Sequence, residues 1–219
     1  MLPTRLLTRA FRRVGRRQCH HAALKQRLAA DFGAVPIPCP LAAMAAIYPA
    51  TEQHVAEHFL FSSMHPQRTA LDMMYGSGSG SGNGAAAAAA AAAGGPAASK
   101  PTLWTFVHFR AGQALGNSQG CVHGGVLSAC FDGALGMLFT LSGRPGFTAS
   151  LTVDYRKPVP IPARLLLRST IDRVQGRKIY ISGQLTDAGA VDGGGRGVGA
   201  LYAESTSLFL GRKEGDAEG

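Results

Sequence analysis

An α+β fold, with an antiparallel sheet wrapped around one long central helix, is what this chain of 219 residues predicts. Three observations carry the expectation. Val126–Leu141 is an apolar run too long for an ordinary strand. Shorter segments of alternating apolar and polar residues lie on either side of it, one before and four after. Two of the later segments, Ala163–Arg173 and Lys178–Thr186, are joined by a tight turn, as neighbouring antiparallel strands can be. One strand, a long helix and then four strands segregate helix from sheet, which is the α+β pattern.

Residues 1–30 hold Arg5, Arg9, Arg12, Arg13, Arg16, Arg17, Lys25 and Arg27 and no acid, which accounts for eight of the net +9. The basicity belongs to one end, so a nucleic-acid-binding domain is not expected. Leu2, Leu6, Ala10 and Val14 recur every four residues, with Leu7 and Phe11 beside them. A basic amphipathic helix without acid and without a continuous apolar stretch has the form of a mitochondrial transit peptide, cleaved between about 17 and 35. Residues 31–75 read as an N-terminal helical extension. Pro36, Pro38, Pro40 and Pro49 interrupt its first part. A helical pattern then runs from Thr51 toward Tyr75, with Pro66 as a break. His54 and His58 have the spacing of a metal pair, yet no His-Glu-x-x-His motif is present, and no metal is expected. Residues 76–99 (GSGSGSGNG, nine alanines, GGPAAS) are of low complexity and read as a flexible inserted loop.

The structured domain is expected over 100–212, followed by a short tail, 213–219. Leu103–Ala111 is the first strand, and the central stretch Gly120–Leu141 supplies the helix. Thr148–Tyr155, Ala163–Arg173, Lys178–Thr186 and Val198–Leu210 are the remaining strands, with a tight turn at Gln175-Gly176. Gly193–Gly199 mimics a dinucleotide fingerprint, but it lies between strands and opens no helix, so it reads as a hairpin loop. Apart from the weakly hydrophobic alanine tract, no segment of 18 apolar residues escapes interruption by Gly or charge, so no transmembrane segment is expected. Cys19, Cys39, Cys121 and Cys130 form no CxxC pair and point to a reducing compartment.

The central stretch also carries the chemistry. Val126, Leu127, Cys130, Phe131, Leu135, Leu138 and Phe139 cover most of the helix circumference, which predicts little water contact. Asp132 is the only charged side chain between Arg110 and Arg144. Buried there, a carboxylate is costly unless compensated. Gly125, Ser128, Asp132 and Gly136 share one face, a strip of small residues. His123-Gly124-Gly125 precedes the run. Helix N-termini present unpaired N–H groups backed by the macrodipole, and such a terminus can hold a developing oxyanion. A turn plus a satisfied core carboxylate is the competing explanation.

The His-Gly-Gly, the Asp nine residues after the His, and the downstream Thr-x-x-Leu-x-x-x-Tyr-x-x-Pro together resemble the signature of hotdog-fold acyl-CoA thioesterases of the phenylacetate and 4-hydroxybenzoyl-CoA type, closest to mitochondrial thioesterase superfamily members four and five. The resemblance covers roughly residues 100–210. It implies a hotdog fold, a homodimer or homotetramer, an acyl-CoA substrate, and neither metal nor redox cofactor. It implies that Asp132 acts as general base or nucleophile, across a dimer interface from oxyanion donors Gly124 and Gly125. His123 would position the thioester, Thr148 the water, and Asn117 would contact the Asp or the substrate. Ser128, on the same strip, is assigned to substrate. Arg156 and Lys157 are placed to meet the phosphates of coenzyme A. Matrix localisation follows from the leader. Two alternatives remain: a hydratase or dehydratase acting on acyl thioesters, and a non-catalytic acyl-CoA-binding protein on the same scaffold.

Overall fold

A computed structural model describes residues 26, 28–30, 34–37, 69–76, 100–110, 115–188 and 199–212. The amphipathic pattern of residues 2–14, the His54/His58 pair, Cys19 and Cys39, the alanine tract, most of the glycine-rich loop before residue 199 and the tail from 213 lie outside the described residues.

Seven strands form one antiparallel sheet. They are β1 (Val35–Pro36), β2 (Thr69–Gly76), β3 (Thr102–Phe109), β4 (Gly146–Tyr155), β5 (Ala163–Gln175), β6 (Lys178–Asp187) and β7 (Leu201–Gly211), in the spatial order β1-β2-β3-β5-β6-β7-β4. Between β3 and β4 runs the helix α1, Gly124–Leu141. This is the α+β hotdog arrangement expected, with the five anticipated strands at nearly the anticipated bounds.

The correction is β2. A helical pattern was expected to run toward Tyr75, and Thr69–Gly76 is instead a strand paired along its whole length with β3. Leu, Met and Ala are good helix formers, but local preference is weak against a full ladder of partner hydrogen bonds. Gly76 lies opposite Thr102, so the low-complexity stretch joins the two ends of a hairpin.

The core lies between α1 and the sheet. Phe131, Leu135 and Leu138 are fully buried against Leu103, Leu167 and Phe209. Phe139 stacks on Phe209 with ring centroids 4.9 Å apart. Gly183, at the middle of β6, lets the helix come close. A Cβ there would lie 2.7 Å from Ser205 Oγ and 3.0 Å from both Leu135 Cδ1 and Phe131 Cδ1. By length and composition alone α1 could cross a membrane, but its apolar side chains pack on the sheet as a core helix. A second cluster lies on the other side of β3, where Leu28 and Ala34 cover Trp104, Phe106 and Ala188. Leu28 falls within the stretch expected to be a cleavable leader.

One face of α1 is left open. Gly125 and Asp132 are exposed, and Ser128, Ala129, Gly133 and Gly136 are half-buried. The expectation of a helix nearly closed to water is therefore overturned for the single chain. The sheet covers the apolar side, and the strip of small residues faces outward beside β4, an edge strand whose ladder partner is β7.

Candidate active site

The approach to α1 is fixed by its own backbone. Val122 N–H donates to Val159 O at 2.9 Å and His123 N–H to Leu115 O at 2.9 Å. Asn117 Oδ1 accepts from the N–H groups of Gln119 (2.9 Å) and Cys121 (3.1 Å). That carboxamide oxygen thus shapes the loop, and its expected contact with Asp132 is not formed. His123 is the N-cap, with extended φ −63° and ψ 136°. Its Nδ1 accepts from Gly125 N–H at 3.0 Å, as a capping side chain does for one of the unpaired N–H groups. Gly124 N–H, at the very tip, has no partner among the described residues.

Two turns further along, Asp132 Oδ1 accepts a 2.9 Å hydrogen bond from Thr148 Oγ1 on β4. Residues 16 apart in the chain are thus brought into contact. The anticipated burial of Asp132 is not observed, since its carboxylate lies on the open face. The Thr148 hydroxyl fixes one oxygen and leaves the other for a proton. A bulge brings Thr148 there. The register of β4 against β7 shifts between Thr148 and Ser150, so Thr148 and Leu151, three apart, both turn toward the helix. Strict alternation would have put them on opposite faces.

The far end of β4 carries a residue that sequence reasoning missed. Tyr155, 50% exposed, donates from its hydroxyl to Gly124 O at 2.9 Å. Its oxygen also lies 2.6 Å from Ser128 Oγ. The ring rests on Gly124, where a Cβ would sit 3.4 Å from Tyr155 Cζ. Tyr155 stood in the motif as a mark of resemblance, and nothing in its spacing revealed the contact. Ser128, expected to face substrate, is engaged by Tyr155 instead.

Arg156 does not join this group. Its guanidinium pairs with Glu204 at 3.1 and 3.2 Å. Gln184 also donates to Glu204, and Gln184 and Glu204 border a polar groove of about 460 Å³ with Lys100, Asp154 and Arg168. Glu204 alternates with the buried Ala203 and Ser205, so this groove lies on the sheet face turned away from α1. Lys157 is exposed at the turn after β4, its N–H donating to Tyr202 O. Cys130 is a core residue, and burial pushes its thiol up to about 12. No cluster of metal-ligating side chains exists among the described residues.

A carboxylate steadied by a hydroxyl, on the same open strip as a glycine helix tip, lies within the stretch 119–192 that matches the family model described as "Thioesterase superfamily". The matched stretch contains His123, Gly124, Gly125, Asp132, Thr148 and Tyr155. Among curated relatives, bovine acyl-coenzyme A thioesterase THEM4 is 31% identical over 102 residues, which are 47% of this chain and 38% of that protein. Human acyl-coenzyme A thioesterase THEM5 is 26% identical over 102 residues, with the same two shares. A Candida albicans protein described only as mitochondrial is 31% identical over 85 residues, 38% of this chain and 37% of that protein. The chain thus spans well under half the length of the relatives it matches.

Proposed function

We propose that this thioesterase-superfamily domain hydrolyses an acyl-CoA to the free acid and coenzyme A, with Asp132 as general base or nucleophile. The observation that carries the reading is the 2.9 Å Thr148–Asp132 hydrogen bond on the open face of α1, in line with the His123-capped glycine tip. As a base, Asp132 takes a proton from water while the hydroxide adds to the thioester carbonyl. Backbone N–H groups of Gly124 and Gly125 hold the oxyanion. Collapse breaks the C–S bond, and the leaving thiolate recovers the proton from Asp132.

One chain does not supply both halves to one carbonyl. Gly125 and Asp132 are seven residues apart, a rise of about 10.5 Å. The first-turn N–H groups also point along the axis away from Asp132. Near-attack geometry needs reacting atoms within about 3.5 Å. A second copy, docked with its helix tip against Asp132, completes the site and removes the open strip and the β4 edge from water. Homodimer formation is therefore part of the proposal. A mitochondrial location is supported by the acid-free basic N-terminus and by the name of the Candida relative. The buried Leu28 favours leader cleavage upstream of it.

The test is release of free thiol from a panel of acyl-CoAs. Turnover supports the reading, and tight acyl-CoA binding without turnover sinks it. Thr148→Val keeps the shape of the side chain and deletes the bond to the carboxylate. It is expected to lower kcat about tenfold with little change in KM, and an unchanged kcat removes Thr148 from the site.

A further inference from the structure

We infer that Tyr155 and Ser128 are positioning residues for the oxyanion donor, acting through one continuous hydrogen-bond chain that ends on Gly125 N–H. The inference rests on the thioesterase reading for its kinetic consequence, but not for its geometry. A tyrosine hydroxyl has one proton. Gly124 O is an acceptor only, so the 2.9 Å contact uses that proton. The 2.6 Å contact with Ser128 Oγ is then donated by the serine. Gly124 O belongs to the same peptide unit as Gly125 N–H, which donates to His123 Nδ1 at 3.0 Å. The order is Ser128 hydroxyl, Tyr155 hydroxyl, the Gly124–Gly125 peptide, then the acceptor at the helix tip.

A hydrogen bond received by a peptide oxygen draws electron density from its nitrogen and strengthens the N–H as a donor. Linked bonds of this kind reinforce one another. The chain therefore polarises the very N–H assigned to the oxyanion. It also fixes the orientation of that peptide at a helix end, where the backbone is otherwise held least firmly. The tyrosine ring packs closely over Gly124, where a Cβ would meet Cζ at 3.4 Å, an ordinary van der Waals contact. His123 Nδ1 takes the place that an oxyanion would occupy on Gly125 N–H, so His123 must release it for the proposed chemistry.

Tyr155→Phe keeps the ring on Gly124 and removes both hydrogen bonds. Two readouts follow on the full chain. The first is kcat for acyl-CoA hydrolysis, expected to fall about fivefold with KM held within about twofold. Ser128→Ala removes only the outer link and should cost less, and the double variant should be no slower than Tyr155→Phe alone. The second is the Gly125 amide proton resonance in glycine-labelled protein, expected to move upfield in Tyr155→Phe while glycines distant from the helix tip stay in place. An unmoved Gly125 resonance overturns the relay whatever the activity. A moved resonance with wild-type kcat overturns its role in the reaction. Wild-type protein that releases no thiol sinks the thioesterase reading, and the resonance then decides the relay by itself. If Tyr155→Phe does not fold, Ser128→Ala gives the same two readouts with smaller changes.

Discussion

Asp132→Asn is expected to lower acyl-CoA hydrolysis about a thousandfold while leaving the fold intact, the scale associated with loss of a positioned general base. The substitution preserves volume and an oxygen that accepts from Thr148 Oγ1, so the 2.9 Å contact survives. What disappears is the second carboxylate oxygen, replaced by an amide nitrogen that neither takes a proton nor attacks a carbonyl. The side chain is exposed in the single chain, so its neutralisation should change stability by no more than about 0.5 kcal/mol. Thiol release and a thermal melt on the same preparation separate the two effects. A variant that melts normally and still turns over at the wild-type rate removes Asp132 from the mechanism.

Phe131→Ala, one residue away, is expected to do the opposite. Phe131 is wholly buried, and its Cδ1 lies 3.0 Å from the place where Gly183 would carry a Cβ. Glycine at 183 is what lets the ring press against β6, so truncation leaves a cavity that the rigid sheet cannot close. A loss of about 3–5 kcal/mol follows for a buried Phe→Ala change. For a chain of this size that is a fall in Tm of roughly 6–20 °C. Denaturant titration with unchanged m checks it, and a loss below about 1 kcal/mol would show that the helix–sheet contact is loose. Phe131, Leu135 and Met137 all point into this core. They are not walls of a site on the open strip, so changes there should act on stability before substrate preference.

The helix and five strands were legible because each is long enough for its period to show. The strip Gly125, Ser128, Asp132 and Gly136 was legible for the same reason, since a helix fixes which residues share a face. β2 was not legible. Its Leu71, Met73 and Tyr75 alternate over only a few residues rich in helix formers, and its partner β3 lies across a low-complexity stretch. The exposure of Asp132 was hidden because composition reports how apolar a helix is, while the sheet decides which side is covered. The capping bond of His123 and the Tyr155–Gly124–Ser128 contacts depend on where the edge strand ends relative to the helix tip. That placement depends in turn on the bulge after Thr148, which a single sequence does not announce. Arg156 reads as a phosphate ligand by residue type, and an ion pair with Glu204 holds it on the sheet face turned away from the helix.

The central claim, that each site joins Asp132 of one copy to the glycine tip of another, is tested most directly by mixing two inactive variants. One is Asp132→Asn. The other is Gly124→Pro, which deletes the N–H at the helix tip. Proline suits the first helical position, and the extended His123 before it is compatible with that residue. In a mixed dimer one site inherits both defects and the other inherits none. After unfolding and refolding the pair together, with mixed dimers verified by native mass spectrometry, thiol release should return to about a quarter of the wild-type rate through random assortment. Mixed dimers that stay as inactive as either parent would contradict the account.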